Sequence, residues 1–305
     1  MASGSKMVIY AALVGNALIA VTKFAAATIT GSSAMMAEGI HSLVDTGNQG
    51  LLLYGMKRAK RPPDAQFPFG HGKEIYFWSF IVAILIFALG AGVSIYEGVH
   101  RILHPEPISS PMVNFVVLGL ALIFESGAWF LALKEFRQVK GRRSYLEAVR
   151  SGKDPTVFVV LFEDTAALLG LLVAGAGLGL GLWLDMPIFD GISSVVIGLL
   201  LAGTAGWLAW ETKSLLIGEA AEPEMVESIR GLAHEISVVD AVNEVLTLHM
   251  GPDFILLNLS LNFSDGIAAG ELEMAVESLD RAIRKAHPLV KRIFIEAENS
   301  TDKPQ

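Results

Sequence analysis

Six stretches of this chain are apolar over the length a helix needs to cross a bilayer, which leaves an all-α membrane bundle as the main architecture. They cover residues 7–29, 32–56, 75–100, 112–133, 156–184 and 187–210. A mean hydropathy of +0.52 and only 18% charged residues agree with that reading. The basic residues between the stretches alternate sharply. Lys57, Arg58, Lys60, Arg61 and Lys73 follow the second, and Lys134, Arg137, Lys140, Arg142, Arg143, Arg150 and Lys153 follow the fourth, whereas the opposite loops hold only Arg101. The positive-inside rule then predicts an even number of spans with both termini cytoplasmic. Residues 1–6 lack the Arg-rich character of a transit peptide, and the apolar run behind them is too long for a signal peptide, so a first span is expected there.

After Trp210 the apolar runs shorten and acids outnumber bases, with Glu219, Glu222, Glu224, Glu227, Glu271, Glu273 and Glu277 among them. Residues 1–211 are expected to form the membrane domain and 212–305 a cytoplasmic one. Met225, Ile229, Leu232 and Ile236 repeat with helical period behind Pro223, and Leu272, Ala275, Leu279 and Ile283 form a second helical stripe. Leu257, Leu259, Leu261 and Phe263 alternate with Asn258, Ser260 and Asn262 as in a half-buried strand, after a turn at Gly251, Pro252 and Asp253. With a last strand over 290–296, the order αββαβ describes a small two-layer, ferredoxin-like α+β domain.

Within the second apolar stretch, Glu38, His41, Asp45 and Asn48 are spaced three, four and three apart and share one helix face. An ionisable group at membrane depth costs about 2.5 to 3.5 kcal/mol on insertion scales and by default marks a substrate or ion pathway. A carboxylate and an imidazole one turn apart are half of a divalent-cation site. The chain has no cysteine, so any such ion must be held by imidazole, carboxylate and other oxygen groups.

SSAMMAEGIHSLVDTGNQ at 32–49, FPFGHGKE at 67–74 and FDGISSVVIG at 189–198 together resemble the cation diffusion facilitator family, and LFEDTAAL at 161–168 looks most like its zinc-transporter-nine branch. The resemblance implies a homodimeric, secondary active exporter of divalent cations, usually Zn2+, in exchange for protons. The cation is the cargo, and no prosthetic group is implied. It further implies a transport site with one ligand pair from the second span, matched by His41 and Asp45, and one from the fifth. There Asp164 matches, but Val160 stands where a histidine or acid is usual. At about 100° per residue, Glu163 lies roughly 60° to one side of the Val160 direction and Asp164 roughly 40° to the other. Glu163 is therefore the first choice for a fourth ligand, with Asn48 or a water next. An oxygen in place of a nitrogen would harden the site and weaken discrimination against Mn2+, Fe2+ or Co2+.

Asp64 and His71 fall where the family sometimes builds a loop metal site, although Phe67 stands where another ligand would be expected. The alternative there is that Gly70, His71, Gly72 and Lys73 set up the start of the third span. In the C-terminal domain, relatives bind zinc through strand histidines, but the matching positions here are Asn243, Ser260, Glu296 and Glu298, and His234, His249 and His287 read as surface or packing residues. Glu125, in the fourth span, has no family match and could be structural, proton-carrying or paired with Lys23. Gly170, Gly175, Gly177, Gly179 and Gly181 allow close helix packing, and Asp190 is expected to cap the sixth span. An enzyme is disfavoured, since the chain lacks HExxH and any nucleophile–base constellation. A non-transporting scaffold or regulator remains the alternative. The chain is expected in a bacterial cytoplasmic membrane, with lipid and a second copy of itself as partners and no nucleic acid.

Overall fold

A computed structural model describes residues 2–30, 33–105, 110–141 and 143–299, with side chains described throughout these except at 2–7, 26–27, 29–30, 33–41, 139, 146 and 150–151. The chain forms two compact units. The first joins residues 1–58 to 74–213, and the second joins 59–73 to 214–305. The loop at 59–73, expected with the membrane domain, therefore folds with the C-terminal unit.

The first unit is helical. It contains α1 (Ala2–Thr30), α2 (Ser33–Ala59), α3 (Glu74–Leu85), α4 (Gly92–Leu103), α5 (Pro111–Lys140), the short α6 (Tyr145–Ser151), α7 (Pro155–Trp183) and most of α8 (Ile188–Ile217). A π-helical segment, Ile86–Ala91, joins α3 to α4 without a break. Local signals fix the helix starts. Proline occupies the first turn of α5 and α7, where its missing N–H costs nothing. Ser144 and Glu147 close a capping box on α6. The Asp154 side chain accepts from the Thr156 amide at the head of α7.

Five helical segments among the described residues are long and apolar enough to cross a membrane: 8–25 of α1, 74–103 through α3 and α4, 111–138 of α5, and all of α7 and α8. The sixth expected span, α2, has 27 residues, or about 40 Å of helix, but is not among them. Its polar ladder, including Asp45, Asn48 and Gln49, lowers its hydropathy. The unit is a multi-pass membrane protein whose exposed faces carry large apolar residues such as Val21, Ile123, Phe130 and Leu172.

Inside the unit, α1, α5 and α7 pack against one another. Trp129 Nε1 of α5 donates to Thr165 Oγ1 of α7 at 2.9 Å. Small residues let α4 and α8 approach closely: a Cβ on Gly98 would stand 2.7 Å from the Val195 amide nitrogen, and one on Gly191 would stand 2.9 Å from the Gly98 carbonyl. Of the glycines singled out in the fifth span, Gly177 lies tight against Ser193 and Gly170 touches Ile197, but Gly175 and Gly179 face open space. Asp190, expected as a cap, lies in the first turn of α8 and forms an ion pair with Arg101 of α4. A neighbouring cation was available, and charge pairing supplants the capping role there.

The C-terminal unit has the order α9 (Pro223–His234), β1 (Val239–Gly251), β2 (Phe254–Phe263), α10 (Ala269–Ala286), β3 (Val290–Ala297). β2 is central, antiparallel to β1 and parallel to β3, with α10 as the crossover. Ile255, Leu257, Leu259 and Leu261 are at most 1% exposed and meet Ile229, Ala233, Leu279 and Ile283 from the two helices. The period-two pattern of β2 thus places one face in the core, as its alternation requires. α9 ends at His234, so Ile236 packs from the turn that follows rather than from the helix.

Candidate metal centre

The polar face of α2 meets α7 inside the helical unit. Asp154 and Pro155 start α7, and nine residues further on Glu163 and Asp164 are buried at 5% and 2% exposure. Asp45, Asn48 and Gln49 of α2 are likewise buried. Asn48 Nδ2 donates to Glu163 Oε1 at 3.0 Å, and Gln49 Nε2 donates to Glu163 Oε2 at 3.4 Å. Gln49 Oε1 in turn accepts from Asn16 Nδ2 of α1 at 3.4 Å. Both oxygens of Glu163 are therefore engaged by neutral amides, and the side chain clasps α7 to α2.

Two oxygens in the same region have no such donor. Asp164 Oδ2 and Asn48 Oδ1 are fully buried and have no hydrogen-bond partner among the described residues. A buried acceptor left without a donor costs about 1–3 kcal/mol, more when charged. A cation is one partner that could supply what these oxygens lack. Val160, one turn before Asp164, is completely buried and offers only a methyl surface. Among the described residues no three His, Cys, Asp or Glu side chains are grouped so as to hold a metal ion.

α2 places residues 38 and 41 on the helix, but the side chains of Glu38 and His41 lie outside the described residues. Of the expected ligands, the structure brings Asp45, Asn48, Glu163 and Asp164 into one buried region. It adds Gln49, which sequence reading missed although it lies one turn beyond Asp45 on the same stripe. Glu125 of α5 and Lys23 of α1 join Asp45 and Ser42 around a cavity of about 40 Å³.

The loop pair is also brought together. His71 Nε2 and Asp64 Oδ2 are 2.9 Å apart, and Asp64 Oδ1 accepts from the amides of Gln66 and Phe67 at 2.9 and 2.8 Å. The Phe67 ring packs on the His71 ring with centroids 4.6 Å apart. The His71 hydrogen bond, then the Phe67 and Gln66 amides, hold the Asp64 carboxyl below the ordinary carboxylate range. Lys73 donates to the Leu216 and Ile217 carbonyls at the end of α8, both at 3.4 Å, and α3 begins at the next residue.

In the C-terminal unit, Ser260 Oγ donates to Glu298 Oε2 at 2.5 Å, Asn243 donates to Ser260 at 3.2 Å, and Asn258 donates to Glu296 at 3.2 Å. His287 meets Ser228 at 2.9 Å, His249 is buried in β1, and His234 ends α9. These three histidines lie on separate elements.

Residues 9–217 match the cation efflux transmembrane domain. The human protein named "Proton-coupled zinc antiporter SLC30A9, mitochondrial" is 32% identical over 285 residues, covering 92% of this chain and 50% of that protein. The chain thus spans about half the length of that relative. "Metal tolerance protein C4" of Arabidopsis thaliana is 28% identical over 97% of this chain and 74% of its own length. "Cation-efflux pump FieF" of Shigella flexneri is 24% identical over 92% of this chain and 91% of its own. With the domain match covering nearly all of the helical unit and the acids of α2 and α7 meeting inside it, the chain belongs to the cation diffusion facilitator family of cation efflux proteins.

Proposed function

We propose that this protein is a divalent-cation exporter, a Zn2+/H+ antiporter that works by alternating access. The observation that carries this reading is the pair of buried oxygens, Asp164 Oδ2 and Asn48 Oδ1, that have no donor among the described residues, in the same region as Asp45 and Glu163. The ligands assigned are His41, Asp45, Asp164 and Glu163, with Asn48 as a further oxygen. Zinc as cargo is supported by the name of the human relative and by the mixed nitrogen and oxygen set. Mn2+, Fe2+ and Co2+ are the alternatives within the class.

Metal and protons compete for the same lone pairs, because a carboxylate or imidazole that binds a cation must first be deprotonated. The cation loads onto Asp45 and Asp164. Glu163 is drawn from its two neutral amide donors towards the ion, which loosens the clasp between α2 and α7. Movement of the helices then exposes the site to the other face, where protons displace the metal. Asn48 and Gln49 retake Glu163 in the emptied site. No covalent chemistry is involved.

In this reading α2 is a sixth span despite its polarity, because its polar face is turned to α7 rather than to lipid. The loop charges support cytoplasmic termini, in a bacterial cytoplasmic membrane. Residues 1–211 are assigned to transport and 212–305 to homodimerisation in the cytoplasm. The test is flux of Zn2+, Mn2+, Fe2+ and Co2+ into proteoliposomes with and without a pH gradient. Gradient-driven uptake of zinc is expected. A folded protein that moves none of the four ions would instead fit a scaffold or regulator.

A further inference from the structure

The cavity beside the metal centre holds a positive charge of the protein's own. Lys23 of α1 is 5% exposed, and its Nζ donates to the Ser42 hydroxyl at 2.9 Å. Ser42, Asp45 and Glu125 line the same partly open cavity of about 40 Å³, together with apolar and small residues of α7 and α8 such as Ala166, Gly170 and Leu201. Glu125 is 6% exposed, and both Asp45 and Lys23 are near enough for their charges to act on it. One ammonium thus faces two carboxylates in a chamber with room for a few water-sized groups.

We propose that Lys23 is a tethered counter-cation that occupies the Asp45–Glu125 chamber when no metal is bound and that restricts the transport site to divalent ions. The inference rests on the exporter reading and adds to it a residue that sets selectivity by charge. A buried ammonium is tolerable only beside anions, and two buried carboxylates are tolerable only beside a cation. Lys23 answers both needs in the empty protein. A monovalent ion arriving at Asp45 carries no more charge than the ammonium already there and lacks its covalent tether, so it cannot displace it. A divalent ion brings twice the charge and can. As it binds Asp45, the ammonium moves within the chamber towards Glu125, which keeps a counter-charge. Charge interactions at short range inside a protein are several kcal/mol even at a high effective dielectric, so a single tethered charge is sufficient to make this distinction.

The experiment measures zinc binding to the full-length purified protein by calorimetry, in choline chloride and in potassium chloride of equal ionic strength. Lys23→Gln is expected to bind zinc about tenfold or more tightly than the wild type in choline, and to lose much of that gain in potassium. Wild type and Lys23→Arg should be insensitive to the exchange of salts. Glu125→Gln should bind about tenfold more weakly, because Lys23 then has only Asp45 to answer it, and Lys23→Gln combined with Glu125→Gln should return towards wild type. That double variant keeps the test decisive if Lys23→Gln alone does not fold. The inference is overturned if Lys23→Gln binds no more tightly and shows no potassium effect, or if the double variant is as weak as Glu125→Gln. Wild-type protein that binds none of Zn2+, Mn2+, Fe2+ and Co2+ would overturn the exporter reading itself, and this inference with it.

Discussion

Asp64 and Asp164 are two acids of one chain in opposite conditions. Asp64 is half exposed, and both of its oxygens are occupied, one by two backbone amides and the other by His71. Asp164 is buried, and its Oδ2 has no donor among the described residues. An acid supplied with donors at the surface is finished as structure. One with a buried oxygen that lacks a donor among the described residues is costly to hold, and a cation is one partner that could relieve it. The difference favours the α2–α7 region over the 59–73 loop as the proposed cargo site.

The largest expected effect comes from removing the Asp164 carboxylate. Asp164→Asn should lower metal flux by about two orders of magnitude or more, as loss of a charged ligand does, while the protein remains folded. A buried carboxylate replaced by a neutral amide of the same size need not destabilise the bundle. Asp45→Asn should behave alike. Flux at the wild-type level in either purified variant would break the comparison at its root.

Much of this difference was legible in the sequence, and the part that was not has physical reasons. The α2 stripe of Asp45 and Asn48 follows directly from the helical period, and Gln49 was within reach of the same argument. The clasp was not, because the amide donors of Asn48 and Gln49 sit 115 and 114 residues from Glu163, and pairing over that distance is fixed by helix packing, not by local pattern. Likewise the family resemblance marked Val160 as a departure from the usual ligand, but only packing shows that Glu163 is already held by two donors. The αββαβ order of the tail was readable from alternation and turn residues, since one strand face is fully buried. Association of the 59–73 loop with that tail was hidden. It depends on contacts such as the ring pair Phe69 and Phe294, with centroids 6.5 Å apart, which no periodicity encodes.

A smaller effect should sharpen the role of Glu163. Glu163→Gln keeps the size of the side chain but loses the charge, so zinc affinity should fall by about tenfold to a hundredfold. Adding Val160→His to Glu163→Gln should recover part of that loss by placing an imidazole one turn before Asp164. The pH dependence of flux should shift with it, because imidazole and carboxylate release protons over different ranges. Unchanged binding in Glu163→Gln would assign the remaining ligand position to Asn48 or water and leave Glu163 as a clasp alone.

The loop should respond far less to metal. If Asp64 and His71 form a structural pair, Asp64→Asn should change flux by no more than about twofold, within the range of surface substitutions, and chelators should leave the loop unaltered. A second metal bound tightly by wild type and lost in Asp64→Asn would show that the loop is a site after all.

The same pair predicts a weak acid response of defined sign. Because the folded-state carboxyl of Asp64 lies below its ordinary value, its contribution to the loop is present above about pH 4. It is lost as the pH falls through the folded-state value, where the carboxylate takes up a proton and gives up its amide donors. Hydrogen exchange at the Gln66 and Phe67 amides reads this directly. Near neutral pH, Asp64→Asn should exchange there a few times faster than wild type, since Asn offers those amides a weaker, neutral acceptor. Once the pH has fallen through the folded-state value, which lies below the ordinary one, and exchange rates are corrected for their own pH dependence, the two proteins should converge. A difference that persisted or grew on acidification would mean that His71, and not the carboxylate, organises the turn. The contrast between an acid satisfied by structure and an acid waiting for a cation would then rest on Asp164 alone.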